Sequence, residues 1–201
     1  MIAITLSKEL TMAEVKRILI IDFTNYEDYP VGGYLSFARN LMFSFGPSLA
    51  LVGIATTNED PVGKWYRKTI DGTFYDFFAI ARYNKAKTKH VIPDRLASYC
   101  LVKKYLSKIQ EIEINNVFLQ RQEMLLAVGN RFENICFCFA GLENPLSISK
   151  YRYAHFFSTQ FERIFFKQIK KIDTILASGD SNAIREMIVR SKGVLHADQI
   201  T

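Results

Sequence analysis

Residues 16–45 read KRILIIDFTNYEDYPVGGYLSFARNLMFSF and combine a strand pattern, a polar loop and a helix pattern. The first part, Lys16 to Phe23, contains an apolar, β-branched run that is typical of a strand buried on both faces. A polar loop and the pair Gly32-Gly33 follow, after which apolar residues recur at the spacing of an amphipathic helix. The apolar run Leu49 to Ala55 comes next. Strand, helix and strand in this order predict a βαβ unit that opens a parallel sheet.

The glycine pair at the start of the predicted helix gives the first indication of a ligand. No Ser, Thr, Asp or Asn stands at the cap position, so the first N–H groups of the helix lack an obvious side-chain partner. Free N–H groups at a helix N-terminus favour a phosphate or carboxylate, and glycines let a ligand approach the backbone closely. The alternative is a plain strand-to-helix turn whose N–H groups bind water. The spacing matches neither the dinucleotide fingerprint nor the P-loop.

The rest of the chain continues to alternate between strands and helices. Asp71-Gly72-Thr73 between two aromatic-rich runs predicts a hairpin. The later predicted elements are a helix from Pro93, a strand Val117 to Leu119, a helix Met124 to Val128, a strand Ile135 to Phe139, a helix Tyr151 to Ile172, a strand Thr174 to Ala177 and a helix capped by Asp180 or Ser181. We therefore predict an arm of residues 1–14 and one α/β domain over residues 15–201. Its sheet is Rossmann-like, doubly wound and mostly parallel, with ligands at the carboxyl ends of the strands.

Composition narrows the class of partner. The 201 residues carry a formal net charge of +6, which favours an anionic partner. The charges are spread without a long Lys/Arg block, so we predict no nucleic-acid partner. The cysteines Cys100, Cys136 and Cys138 fit no common zinc or redox spacing, and they suggest a reducing compartment. No signal-peptide pattern is present, and no apolar run approaches the about 20 residues that span a bilayer, so we predict a cytoplasmic protein.

Two predicted helices have an apolar stripe that we expect to face the core. In the helix from Pro93 the stripe consists of Leu96, Tyr99, Cys100, Leu106 and Ile109; in the helix from Tyr151 it consists of Phe157, Phe161, Ile164, Phe165 and Ile172. Phe166 would then lie on the far side of the second helix, beside Arg163, Lys167 and Lys170. Such a face suits either peripheral docking on anionic lipid or packing on another domain or partner.

Four segments in order resemble one family: the glycine loop after the first strand, NVFLQRQEMLLAV, ICFCFAGLENPLSISKYRYA and ILASGDSNAIREMIVRSKG. The chain resembles the N-terminal half of family 4 glycosyltransferases, which are retaining enzymes of the GT-B fold, and is most similar to those of bacterial surface-polysaccharide synthesis. The likeness covers residues 16–201 and rests on the sum of the pattern.

The resemblance implies two Rossmann-like domains that face each other across a cleft. The second domain holds most of the nucleotide-sugar site, including an E-x7-E pair, and the first shapes the acceptor site. Gly32 and Gly33 match the glycine loop that approaches the donor diphosphate, and Arg121 ends a strand where related chains often carry a polar site residue. Glu143 and Asn144 lie in the loop where many members carry a His that contacts the sugar, and no His stands there.

The sequence alone leaves two alternatives open for Arg121 and two for Glu143. Arg121 is expected either to bind a phosphate or acceptor anion, or to form an ion pair with Glu123 or Glu143. Glu143 is expected either to orient an acceptor hydroxyl or to be a surface carboxylate. His90, His155 and His196 are isolated and no D-x-D motif is present, so we predict no metal and no cofactor, with the nucleotide-sugar acting as substrate.

The predicted function is therefore the acceptor-side domain of a glycosyltransferase that moves a sugar from a nucleotide-sugar to a growing glycan or lipid-linked acceptor. No Glu is followed eight positions later by another, and the chain ends about where the loop into the second domain begins in the family. We therefore expect these residues to be inactive without a second domain. The alternative is a non-catalytic Rossmann-like or flavodoxin-like binding module that acts with a partner.

Overall fold

The computed structural model describes residues 17–83, 92–139, 144–172, 174–177, 181–195 and 200. The strands are β1 Ile18–Ile21, β2 Leu49–Ala55, β3 Trp65–Ile70, β4 Thr73–Arg82, β5 Asn116–Leu119, β6 Asn134–Phe139 and β7 Thr174–Ala177. The helices are α1 Gly33–Phe45, α2 Asp94–Gln110, α3 Gln122–Val128, α4 Arg152–Phe156, α5 Ser158–Ile169 and α6 Ser181–Arg190. The predicted arm and the predicted loop residue Glu143 lie outside the described residues.

All seven strands form one sheet in the order β3-β4-β2-β1-β5-β6-β7. Every neighbouring pair is parallel except β3 and β4, which pair antiparallel through the Asp71-Gly72 turn. Both turn residues have positive φ, 48° and 78°, as the turn of a two-residue hairpin requires. The predicted α/β class, the mostly parallel sheet and the hairpin are confirmed.

The order of the strands reverses direction at β1. From β1 the chain builds outward through β2 to β4 on one side, and it then returns to place β5 on the other side of β1. The carboxyl ends of β1 and β5 therefore lie side by side, with Ile21 opposite Leu119. In parallel α/β sheets this topological switch point opens a crevice in which ligands bind.

Helices cover both faces of the sheet. One face carries α2, α3 and α5, which contribute Val102, Met124 and Phe165 to a core with the strand residues that point to that side. The opposite face carries α1, whose Ala38 and Met42 pack with Leu51 and Phe77. These residues are buried because each apolar stripe faces a sheet whose central strands are themselves apolar on both sides. The fold is thus doubly wound, as the sequence predicts.

The prediction of one continuous helix from Tyr151 to Ile172 is wrong. The chain breaks at Phe157, which caps α5, so two helices replace one. Phe165, Phe166 and Ile169 face the core, whereas Phe157 and Ile164 are 56% and 47% exposed.

Phe166 is therefore only 7% exposed, and the predicted contact of this side chain with lipid is wrong. Its basic neighbours Arg163, Lys167 and Lys170 are exposed, as a solvated helix face requires. No helix among the described residues is both long and apolar enough to cross a membrane.

The inward face of α2 agrees with the prediction in part. Ser98, Val102 and Ile109 are its buried residues, while Leu96 is 49% exposed and Cys100 is exposed. Ser98 can be buried because its side chain is small and because its hydroxyl donates to the carbonyl of Arg95 at 2.8 Å. The apolar spacing thus predicted the helix and the inward position of Tyr99, Leu106 and Ile109. It did not predict the exposure of Leu96 and Cys100.

Candidate functional site

The loop after β1 is held by its own side chains. The Oδ1 atom of Asn25 accepts hydrogen bonds from the N–H groups of Glu27, Asp28 and Tyr29 at 3.0, 3.1 and 2.9 Å. This Asx arrangement fixes the polar loop that leads from the end of β1 to the glycine pair. The start of α1 is therefore placed by a defined turn.

Tyr26 anchors the same loop into the sheet. Its fully buried hydroxyl donates to the carbonyl of Val52 at 2.8 Å, and the carbonyl of Ile20 lies 3.2 Å away. Burial, and then the nearby Asp22 carboxylate, raise the pKa of Tyr26 well above its usual range, so the phenol stays a neutral donor. The ring sits against Gly53, where an added Cβ would lie 2.7 Å from it.

The N-terminus of α1 is open. Gly32 precedes the helix with φ 153° and ψ 178°, and no side chain caps it. A Cβ added at Gly32 or Gly33 would meet no atom within 4 Å. Both residues are exposed, so a ligand has free access to this part of the backbone. The first N–H groups of the helix are left to water or to a ligand.

Arg121 lies at the switch point, on the side of β5. It lies two residues after the end of β5, and its Nε atom donates to Oδ1 of Asp22, which follows β1 directly. Its NH1 atom lies 4.0 Å from Oε1 of Glu123, and its guanidinium stacks 4.3 Å from the centre of the Tyr34 ring. Since Tyr34 follows Gly33, Arg121 lies beside the first turn of α1.

The environment of Arg121 keeps it charged. Burial opposes the charge, but the carboxylates of Asp22 and Glu123 more than offset this effect and raise the pKa of the guanidinium. Glu123 has a further partner, because NH1 of Arg95 lies 3.4 Å from its Oε2 atom. The buried side chains Asp22 and Glu123 are thus paired with cations, as buried carboxylates generally are.

The structure brings together three of the five predicted site residues. Gly32, Gly33 and Arg121 meet at the carboxyl edge of the sheet through Tyr34. Arg121 pairs with Glu123, one of the predicted alternatives, and more closely with Asp22.

Both the nitrogen and the oxygen of the Asn144 side-chain amide form hydrogen bonds within the protein. The side-chain nitrogen donates to the carbonyl of Ser158 at 2.8 Å, and the oxygen accepts from the N–H of Leu146 at 2.9 Å. The residue is 6% exposed and joins the loop after β6 to α5. This geometry gives no support to the predicted role of Asn144 in substrate binding.

Three residues of the site do not stand out in the sequence alone: Asp22, Tyr34 and Gln120. Asp22 and Gln120 directly follow two strands that the sequence does predict. Their position at the carboxyl end of a strand could therefore have marked them as candidate site residues. Tyr34 carries no such signal. The described residues contain no group of three or more His, Cys, Asp and Glu side chains able to hold a metal ion.

No protein-family model matches the chain, and no curated protein is significantly similar to it in sequence. Solved structures do share its fold. Sucrose-phosphate synthase from Thermosynechococcus elongatus is similar with a TM-score of 0.57 and 11% identity, over 92% of this chain and 47% of that one. A UDP-forming α,α-trehalose-phosphate synthase from Burkholderia xenovorans, in complex with glucose-6-phosphate, is similar with a TM-score of 0.51 and 12% identity, over 86% and 43% of the two chains.

These similarities establish the class of fold. The α/β domain described above, with its mostly parallel sheet, has the fold of a part of these two synthases. The chain spans about half the length of these structures.

Proposed function

We propose that this domain is the acceptor-side half of a retaining GT-B glycosyltransferase. The enzyme transfers a sugar from a nucleotide-sugar to a growing surface glycan or lipid-linked acceptor, and a second domain holds most of the donor. The observation that carries the proposal is the convergence of the open α1 N-terminus and the Asp22–Arg121 pair at the topological switch point. This is the place where α/β sheets bind ligands.

The glycine pair provides the contact with the donor. Gly32 and Gly33 leave the N–H groups at the start of α1 approachable, and the dipole of the helix favours a negative group there. A diphosphate that departs from the sugar gains negative charge in the transition state. N–H groups fixed beforehand near that charge lower the barrier because they do not have to reorganise.

Arg121 has a positioning role in this proposal. Two carboxylates and the Tyr34 ring hold its guanidinium, so it presents a fixed surface between the glycine loop and the end of β5. Catalysis by these residues alone is not expected, because the remaining donor contacts belong to the second domain.

The finer parts of the proposal rest on sequence resemblance. The four ordered segments support membership of family 4 and a role in surface-polysaccharide synthesis. We place the enzyme in the cytoplasm, at the inner face of the membrane, with Arg163, Lys167 and Lys170 as exposed cations toward anionic lipid. No cofactor, metal or nucleic acid enters the proposal.

The test uses the full-length gene product with a panel of UDP-, GDP-, ADP- and dTDP-sugars. We expect one donor to be turned over, with release of its nucleoside diphosphate increased by a glycan acceptor. Heat-denatured protein is the control. A folded protein that neither binds nor turns over any nucleotide-sugar would contradict the proposal and favour a non-catalytic binding module that acts with a partner.

A further inference from the structure

Among the residues that the structure describes, three buried oxygen atoms at the switch point have no hydrogen-bond partner. They are Oδ2 of Asp22, Oε1 of Gln120 and Oε1 of Glu123. Their residues are 0%, 2% and 3% exposed. Buried polar atoms are almost always hydrogen-bonded in proteins, so three unsatisfied acceptors around one arginine require an explanation.

All three belong to side chains that contact Arg121 or Tyr34. Asp22 and Glu123 face the guanidinium of Arg121. The side-chain nitrogen of Gln120 donates to the carbonyl of Tyr34 at 3.3 Å, which leaves its oxygen as the unsatisfied atom. The unsatisfied atoms of this cluster are therefore all acceptors, and what they lack is donors.

The cluster is also electrically balanced. The carboxylates of Asp22 and Glu123 face the guanidinium groups of Arg121 and Arg95, so two negative charges meet two positive charges. A phosphate group would bring further negative charge toward two buried carboxylates, with both cations already paired. A hydroxyl group brings a donor without any charge.

We infer that this cluster binds the hydroxyl groups of an unphosphorylated sugar, which donate to Asp22, Gln120 and Glu123. The inference rests on the proposed function in taking the ligand to be a sugar. It sets the chain apart from the trehalose-phosphate synthase of similar fold, whose structure contains glucose-6-phosphate.

Access to the three oxygens is controlled by the partly exposed members of the cluster. The side chain of Arg121 is 12% exposed, and Tyr34 is half-buried beneath its guanidinium. The three oxygens are covered in this arrangement. A sugar therefore reaches them after a small rotation of the Tyr34 ring, while Arg121 stays paired with its two carboxylates.

Saturation-transfer NMR on the full-length gene product tests this specificity. The probes are methyl glycosides of glucose, galactose and mannose and the corresponding 6-phosphates, with magnesium chloride added as a competitor. We expect at least one neutral glycoside to bind about tenfold more tightly than its phosphate. Three outcomes would overturn the inference: tighter binding of the phosphates, binding of Mg²⁺ in place of sugar, or binding of no sugar. This comparison uses the unsubstituted protein alone.

A matched pair of substitutions locates the site. Gln120→Met removes one unsatisfied oxygen, and Gln110→Met removes an amide that donates to the carbonyl of Arg131 at 2.7 Å, outside the cluster. Loss of one hydrogen bond predicts about fivefold weaker binding for Gln120→Met and no change for Gln110→Met. Equal affinities for the two variants contradict the inference. Nucleotide-sugar binding, measured on the same samples, reports separately on the proposed function.

Discussion

Gly53 shows how a single residue sets the geometry of the site. A Cβ added there would lie 2.2 Å from the carbonyl oxygen of Thr24 and 2.7 Å from the Tyr26 ring. The same carbonyl accepts the N–H of Ile54 at 2.9 Å, so loop and strand are joined at this point. Only glycine allows the loop after β1 to lie directly on β2, and this contact fixes the path toward Gly32.

We predict that Gly53→Ala destabilises the protein by about 3 kcal/mol, because the methyl group overlaps backbone and ring atoms that cannot move apart. Urea unfolding followed by circular dichroism measures the change. Gly33→Ala is the matched control, since its methyl group meets no atom within 4 Å and its stability is expected to stay the same or rise slightly. Equal stability of the two variants would show that the loop does not pack on β2 as described.

Helix α5 shows what the sequence predicts well and what it does not at the scale of an element. Its apolar spacing predicts a helix, and most strand positions follow from composition; β2 and β7 have the predicted bounds. The break at Phe157 has no Gly or Pro to mark it. Apolar residues lie on more than one side of α5, so their spacing alone does not decide which of them face the core. The prediction placed Phe166 on the far side of the helix, as a contact to lipid or to another domain or partner, although the structure buries it.

Phe166→Ala and Phe156→Ala form a matched pair that tests this burial. The first removes a buried ring and is expected to destabilise the protein by about 3 to 5 kcal/mol. The second removes a ring that is 85% exposed, and we expect a change within about 0.5 kcal/mol. Thermal unfolding of both variants gives the comparison. Similar losses, or the larger loss for Phe156→Ala, would contradict the described orientation of α5.

At the scale of the whole molecule, the site depends on the order of the strands. Asp22 and Arg121 are 99 positions apart in the chain. They pair because β1 and β5 are neighbours at the switch point. The sequence predicted strands that end at these residues and a ligand site at the carboxyl edge. It could not predict which strands are neighbours, so the Asp22 pairing was missed. The ligand-binding roles of Gly32, Gly33 and Arg121 stay predictions.

The same arrangement explains why this one domain can carry a complete local site. The glycine loop, Tyr34 and the Asp22–Arg121 pair are held by contacts within this domain. In the proposed enzyme they form one wall of a cleft, and the second domain closes it over the donor. The central claim is that the donor diphosphate lies against the start of α1.

Calorimetric titration of the full-length gene product and its Gly33→Ala variant tests that claim most directly. The ligands are uridine and guanosine diphosphates and their sugar conjugates, and Ser44→Ala at the far end of α1 is the control. The account predicts that Gly33→Ala keeps its thermal stability and loses at least about tenfold in donor affinity, because the methyl group holds the diphosphate away from the N–H groups. Unchanged affinity in a folded Gly33→Ala protein would contradict it.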